Sequence, residues 1–421
     1  AADLPFDVGW LLMPSLGDEP TQFHLAMIDG LGVAANSDNP ELAADFISYI
    51  AGKDFQTYMA QYSRFSGRTD VTPDPATVPP VALSQLAALD EFAGEPAPNT
   101  LLHIRLRDRI AEGWVEILVG TLTPAELAAD LERIADELRG DAAPAAPAAS
   151  GPTGEITVAV HPDWDFIQDG ADQYMAANPG TTINLESIVG GNDYFPTLPR
   201  ILATDEAPDV TVLQVGFAGT WEELVATGVL ADLSDVYNED GLKDAFLGPI
   251  VASYSNADGS QSAINVGLNW IPVVYYNKTM FEDLGIDAPE GGRVASMDDW
   301  FAITDALKDA GKTPLALAIA GFRATMWFTG QYMESNCGTE WSLALETGWL
   351  PGTTPTARFT DPCAIEAFEA INVDWNDRGV YGDSPSTVTR DIGQTLFFTE
   401  ESGMFMSGSW EVGAINAADL P

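Results

Sequence analysis

The sequence predicts an α/β protein of two lobes. Strands alternate with helices, the chain is several times the usual domain length, and a Pro/Ala-rich linker interrupts it. The alternation is clearest after the linker. "EITVAV" reads as a buried strand, and "FIQDGADQYMAANPG" as an amphipathic helix closed by Asn178, Pro179 and Gly180. "TTINLESIV" is a second strand, "YFPTLPRILATDEAPD" a helix ending before Pro208, and "VTVLQV" a third strand. Such a βαβαβ run makes an open sheet that binds ligands beyond the carboxyl ends of its strands. The loops at those ends are 161–165, 190–194 and 216–221.

A second set of elements comes next. "VVYYNKTMFEDLGI" is a strand leading into a helix that stops at Gly285, and "SMDDWFAITDALKDAG" is a helix with Ser296 as N-cap. "TPLALAIAG" is a buried strand, and single helices are expected over 324–334 and 361–377. Two more helices, "NPELAADFISYIAG" and "TPAELAADLERIADELRG", lie before the linker.

Length and charge bound the function. The chain has 421 residues, 46% of them hydrophobic, which is enough for two cores. No apolar run approaches the ~20 residues needed to cross a bilayer. With 63 acidic against 18 basic residues the formal net charge is -45, so phosphate backbones and anionic membranes are repelled and no nucleic acid partner is expected. Such acidity fits a protein adapted to high salt or an acidic secreted protein of ordinary habitat. The two cysteines, Cys337 and Cys363, suit a local disulfide in an exported protein, with two buried thiols as the other reading.

The order of the chain is its most unusual feature. A helical pattern ending at Arg139 runs into "GDAAPAAPAASGPTG", a composition that builds no core, and then into the strand "EITVAV". The chain also opens with "AADLP" and closes with the same five residues. Overlaid, the two copies read continuously as "SGSWEVGAINAADLPFDVGWLLMPSLG". The expected natural order is therefore 152–421 followed by 1–140, a circular permutation with the old termini joined by the linker. A piece of a tandem array would show the same overlap.

Several segments resemble the extracellular solute-binding proteins of ABC transporters, in the family that takes up sugars and includes maltose-binding protein. They are "YYNKTMFEDLGI", "ESGMFMSGSWEVGAI", "IDGLGVAANSDNPELAADFISYIAGKDFQTYMA", "ANPGTTINLE" and "APDVTVLQ". The resemblance implies the type II periplasmic-binding-protein fold, here circularly permuted, with a ligand cleft between the lobes. Residues 1–30, 81–140 and 269–421 would form the carboxyl lobe, and 31–80 and 154–268 the amino lobe, with 141–153 as the linker. Crossing segments near 267–272 and 27–33 would carry the hinge.

It also implies a monomer outside the cytoplasm, periplasmic or extracellular, whose natural form can carry a lipid anchor. Its partners would be a small-molecule sugar and the permease subunits of an ABC importer, with no catalysis, no metal and no cofactor.

A sugar presents C–H faces and a belt of hydroxyls, so its site needs flat aromatic rings and directional polar groups. On the resemblance, Trp410 after "SGS" is the main stacking ring, and Trp270, Trp327 and Phe322 are further cleft aromatics. Core packing is the alternative for each. His161, Asp163 and Trp164 occupy the loop after the first strand, and Asn192 and Asp193 the second loop. Arg323 offers a forked donor to vicinal hydroxyls. Asp29 resembles a sugar-contacting Asp, Arg68 lies in a "GRTDV" run like that of glucose-binding relatives, and His103 stands where maltose-type relatives place an aromatic. For the charged residues the alternative is a solvated surface. These features point to a hexose or short glucoside.

Other functions have weaker support. The same fold could take a polyamine or a phosphodiester. Glycoside hydrolysis would need paired carboxylates, and Glu400 and Glu401 are adjacent on an expected strand, where side chains point to opposite faces. The three histidines, His24, His103 and His161, lack metal-ligand spacing.

Overall fold

The computed structural model describes residues 6–22, 24–62, 64–92, 104–138, 154–160, 164–187, 198, 200–204, 207–215, 224–225, 227–239, 241–256, 259–320, 324–348 and 354–417. The chain divides into two compact units. One comprises Ala1–Leu25, Pro79–Asp141 and Trp270–Pro421, and the other Ala26–Val78 and Ala142–Asn269. The strands among the described residues are β1 (Val8–Leu11), β2 (His24–Val33), β3 (Glu155–Val160), β4 (Thr182–Ser187), β5 (Val210–Val215), β6 (Ile264–Ile271), β7 (Val273–Asn277), β8 (Thr313–Leu317) and β9 (Ser402–Ser407).

The unit containing β3 is built on a five-stranded sheet of order β4-β3-β5-β2-β6. β3 runs parallel to both β4 and β5, pairing Ile156 with Ile183 and Val158 with Val210. It is an interior strand, and Ile156, Val158, Ala159 and Val160 are all buried, as a parallel strand covered on both faces requires. β2 closes antiparallel on β5, with Leu31 opposite Val212.

After β3 the helix Asp165–Ala177 buries Phe166, Ile167, Ala171 and Tyr174. Tyr174 meets Phe46 of the helix Pro40–Ala51 edge to face, with centroids 5.5 Å apart. The helix backbone is closely approached at Gly170, where a Cβ would lie 2.4 Å from Ile50 Cδ1 and 2.9 Å from Phe55 Cζ. Any side chain there would push this helix off its neighbours.

The other unit holds a four-stranded sheet of order β1-β7-β9-β8. β7 and β9 are buried along their whole length and pair antiparallel, whereas β8 runs parallel to β9. Over this sheet the helix Met297–Asp309 starts at Ser296, whose hydroxyl accepts the Asp299 N–H at 3.1 Å. Asp298 and Asp299 sit in its first turn, where the helix dipole favours negative charge.

The core of this unit is aromatic. Trp375 packs against Trp300 (5.2 Å), Tyr332 (5.3 Å) and Phe328 (5.5 Å). Trp114, on the helix Ile104–Leu118, donates its indole N–H to Thr329 at 2.9 Å. Cys337 and Cys363 are disulfide-bonded, their Cα atoms 5.3 Å apart, which links the end of the helix Ala324–Cys337 to the helix Pro362–Glu369.

Two local expectations are corrected. The single helix over 361–377 is instead Pro362–Glu369, a π-helical turn Ala370–Asp374 and a last turn Trp375–Asp377. The extra residue of a π turn rotates the turn after it, and Trp375 is fully buried, while the Ile371 carbonyl accepts the Tyr381 hydroxyl at 2.7 Å.

Glu400 and Glu401 do not share a strand. They end the helix Arg390–Phe398 before β9 begins. Glu401 N–H donates to Leu396 O (2.8 Å) and Glu400 N–H to Phe397 O (3.1 Å), the paired bonds of a Schellman cap. Glu400 takes the left-handed conformation (φ 59°) that glycine usually supplies.

Candidate functional site

β8 and β9 are parallel, so the segments leaving their carboxyl ends emerge at the same edge of the sheet. β7 runs antiparallel to β9 with Val273 opposite Ser407, so the residues entering β7 reach that edge too. This topology gathers three tryptophans that are distant in sequence. Trp410 follows β9, Trp327 lies on the helix after β8, and Trp270 precedes β7.

Two backbone-directed bonds join the segments. Trp270 N–H donates to Ser409 Oγ at 3.2 Å, and Ser409 N–H to Trp270 O at 3.0 Å. Trp327 meets Trp410 edge to face with centroids 5.2 Å apart and planes at 68°.

The three rings differ in access. Trp270 is 1% exposed and Trp327 7%, so both are packed into the unit, whereas Trp410 is partly exposed. The Trp410 ring lies directly over Gly408, where a Cβ would come within 2.2 Å of ring carbon Cζ3. The Gly408 carbonyl is fixed by the Tyr275 hydroxyl at 3.0 Å. Burial raises the pKa of that phenol, so it remains a donor at neutral pH.

Glu411, a residue that sequence patterns do not single out, completes the site. Its Oε1 accepts Arg390 Nε (2.8 Å), Ser407 Oγ (2.8 Å) and the Trp410 indole N–H (3.0 Å), and its Oε2 accepts Gln394 Nε2 (2.8 Å). A signal existed in the sequence: Arg390 and Gln394 are four residues apart, hence on one face of a helix. That a carboxylate would meet them depends on β9 bringing Glu411 alongside.

In the other unit the expected residues that lie among the described ones, Asp29, Arg68 and Trp164, are committed to the protein. Asp29 is 1% exposed, accepts Asn269 Nδ2 at 2.9 Å and lies 3.7 Å from Arg64 Nη1. Asn265 ties the adjacent strands by donating to Asp29 O (3.0 Å) and Gly267 O (2.8 Å).

Arg68 makes a forked pair with Asp70 (2.9 and 3.1 Å), donates to Ala51 O at 3.1 Å and lies over the Phe246 ring. The hydrogen bond from Arg68 holds the Asp70 carboxyl below its ordinary pKa. Trp164 is buried and stacks on Phe166 with centroids 5.5 Å apart. Phe322, Arg323, His161, Asp163, Asn192, Asp193 and His103 lie outside the described residues.

Among the described residues no group of three His, Cys, Asp or Glu is placed to hold a metal ion, and no helix is long and apolar enough to cross a membrane. The arrangement leaves one partly exposed indole, Trp410, held by a hydrogen bond and backed by two buried rings.

The described elements make a two-unit α/β architecture, each unit with its own sheet. Residues 144–421 match the bacterial extracellular solute-binding protein family, and the chain belongs to that family. It is a family of binding proteins, not of enzymes.

Among relatives, the sn-glycerol-3-phosphate-binding periplasmic protein of Agrobacterium fabrum is 30% identical over 212 residues, covering 48% of this chain and 45% of that protein. The xylose/arabinose-binding protein of Haloferax volcanii is 26% identical over 198 residues, covering 46% and 39%. The chain thus spans less than half the length of either relative in these matches. A chitin oligosaccharide binding protein of known structure superposes with a TM-score of 0.49 at 22% identity, covering 64% of each chain.

Proposed function

We propose that this protein is the extracytoplasmic solute-binding component of an ABC importer, which binds a hexose or short oligosaccharide by hinge closure and delivers it to the permease subunits. The observation that carries the reading is Trp410, a partly exposed indole held beyond the carboxyl end of a central strand. Such a ring complements the C–H face of a sugar. The family supplies the class and the ring supplies the ligand chemistry. The protein acts outside the cytoplasm, as a monomer without catalysis, and its natural form can carry a lipid anchor.

The Agrobacterium relative is named for a phosphate ester, which gives a second reading of an anionic polyol. A net charge of -45 opposes the approach of an anion, so the neutral sugar is preferred.

Calorimetric titration against D-glucose, maltose, D-xylose, L-arabinose, sn-glycerol-3-phosphate, a glycerophosphodiester and spermidine decides among the readings. A sugar at 100 times its Kd should add about 2.7 kcal/mol of stability. If only glycerol-3-phosphate, the phosphodiester or spermidine raises the melting temperature, the sugar reading is wrong. Labelled oligosaccharides cut at enzymatic rates would overturn the absence of catalysis, and light scattering in solution checks the monomer.

The circularly permuted order belongs to the same proposal. Support comes from β3, which follows the linker yet is an interior strand of its sheet, and from the family match that begins at residue 144. A chain rearranged to begin near Thr153 and end near Gly140, with a single AADLP, should fold and bind the same sugar. An unfolded product would refute the order.

A further inference from the structure

We propose that Glu411 is a positioning residue, whose buried carboxylate fixes the plane of the Trp410 ring so that one face stays available to the solute. The proposal rests on the reading of Trp410 as the stacking ring. Glu411 is fully buried, and a buried ionised carboxylate is costly unless its oxygens are well satisfied. Here four donors satisfy it: the Arg390 guanidinium, the Ser407 hydroxyl, the Gln394 amide and the Trp410 indole. A well-packed apolar group often stabilises a core as well as a buried ion pair does, so stability alone does not explain the choice of Glu. Geometry does, because three of the four donors come from protein that is itself anchored.

Ser407 ends the fully buried strand β9, and Arg390 and Gln394 project from one helix, so the carboxylate has no freedom to turn. The indole N–H that it accepts is the one polar handle of the Trp410 side chain. With the ring lying over Gly408 and Trp327 set against it at 68°, rotation about either side-chain torsion would break the 3.0 Å bond or drive the ring into its neighbours. A ring already ordered in the free protein spares the solute the cost of ordering it. A rigid ring also favours flat, C–H-rich faces, such as those of pyranoses, over flexible chains.

The test is a double-mutant cycle on the full chain, read by calorimetric titration with the tightest binder among D-glucose, maltose, D-xylose and L-arabinose. Glu411→Leu in the Trp410 background should weaken binding about three- to tenfold, the fold-change that corresponds to losing the ordering of one side chain. In a Trp410→Phe background, where no N–H exists to hold, the same change should cost less than about twofold. Glu411→Gln keeps one acceptor oxygen and should fall between.

Equal losses in both backgrounds would overturn the proposal, since Glu411 would then not act through the indole. A ligand-independent measurement keeps it testable should Glu411→Leu fail to fold or no sugar bind. In a nitrogen-15 spectrum of the indole N–H groups, the Trp410 peak, assigned from Trp410→Phe, should broaden or split and exchange faster with solvent in Glu411→Gln, while the indole peaks other than that of the adjacent Trp327 hold position. An unchanged Trp410 peak would refute positioning whatever the protein binds. A changed peak in a protein that binds no sugar would support positioning while refuting the sugar reading.

Discussion

Replacing Glu132 separates the contribution of a buried hydrogen bond from that of a visible ion pair. Glu132 lies on the helix Pro124–Leu138 and reaches across to the segment before the helix Pro362–Glu369. One oxygen accepts Arg358 Nη1 at 2.7 Å and the other the backbone N–H of Phe359 at 3.0 Å. Arg358 is 44% exposed, so its half of the pair is screened and contributes about 0–1 kcal/mol. Phe359 is fully buried, and its N–H would lose this acceptor, at about 1–3 kcal/mol.

Glu132→Ala should therefore lower the unfolding free energy by about 2–3 kcal/mol, and Arg358→Ala by less than about 1 kcal/mol. Glu132→Gln, which retains an acceptor for Phe359, should recover about half of the larger loss. Urea denaturation followed by tryptophan fluorescence measures all three, with an unchanged slope as the check that midpoints reflect stability. If Arg358→Ala costs as much as Glu132→Ala, the charge pair rather than the backbone bond carries the attachment, and the reasoning fails.

The other predictions concern the cap, the disulfide, salt and alkali. Glu400→Gly should stabilise the protein by about 0.5–1 kcal/mol by relieving the left-handed backbone, seen as a small rise in melting temperature; a decrease would mean that the Asn277 contact to the Glu400 carboxylate matters more. Replacing Cys337 and Cys363 together by Ser frees a loop closed across 26 residues and should cost about 3 kcal/mol in chemical denaturation. A net charge of -45 predicts a melting temperature that climbs as NaCl goes from 0.1 to about 1 M, where the Debye length falls to about 3 Å, and a flat profile would discount self-repulsion. Burial raises the phenol pKa of Tyr237 to about 12 and those of Tyr332 and Tyr381 well above normal. Their folded values exceed the unfolded one near 10, so the stability they contribute is intact below about pH 10 and lost as pH rises through the folded values. Phenolate absorbance and unfolding should then rise together in an alkaline titration.

Strand and helix identities were legible wherever one periodicity ruled. "EITVAV", "VTVLQV" and "VVYYN" became β3, β5 and β7, and Ser296 caps its helix because an N-cap is a local event. Legibility failed where the third dimension decides. Nothing in "FEAINVDWNDRG" announces the π turn, which arises from the need to bury Trp375 against Trp300 and Phe328. Nor does "FFTEESG" show a left-handed glutamate, because the composition lacks the glycine that normally marks such a cap.

The candidate site divides along the same line. Trp410 stands in a short motif and is partly exposed, as the proposed stacking role requires. Trp270 stands in a comparable motif, yet its ring is almost wholly covered, because the strand entering β7 is buried on both faces. Asp29, which resembles a sugar-contacting Asp in sequence, is buried and held by Asn269 and Arg64. Glu411 is not legible in the sequence, because one acidic residue among 63 carries no signal until its donors are placed around it. An acidic composition thus hides a buried, multiply bonded carboxylate in proportion to its own excess, and burial with several converging donors is what separates Glu411 from the solvated majority.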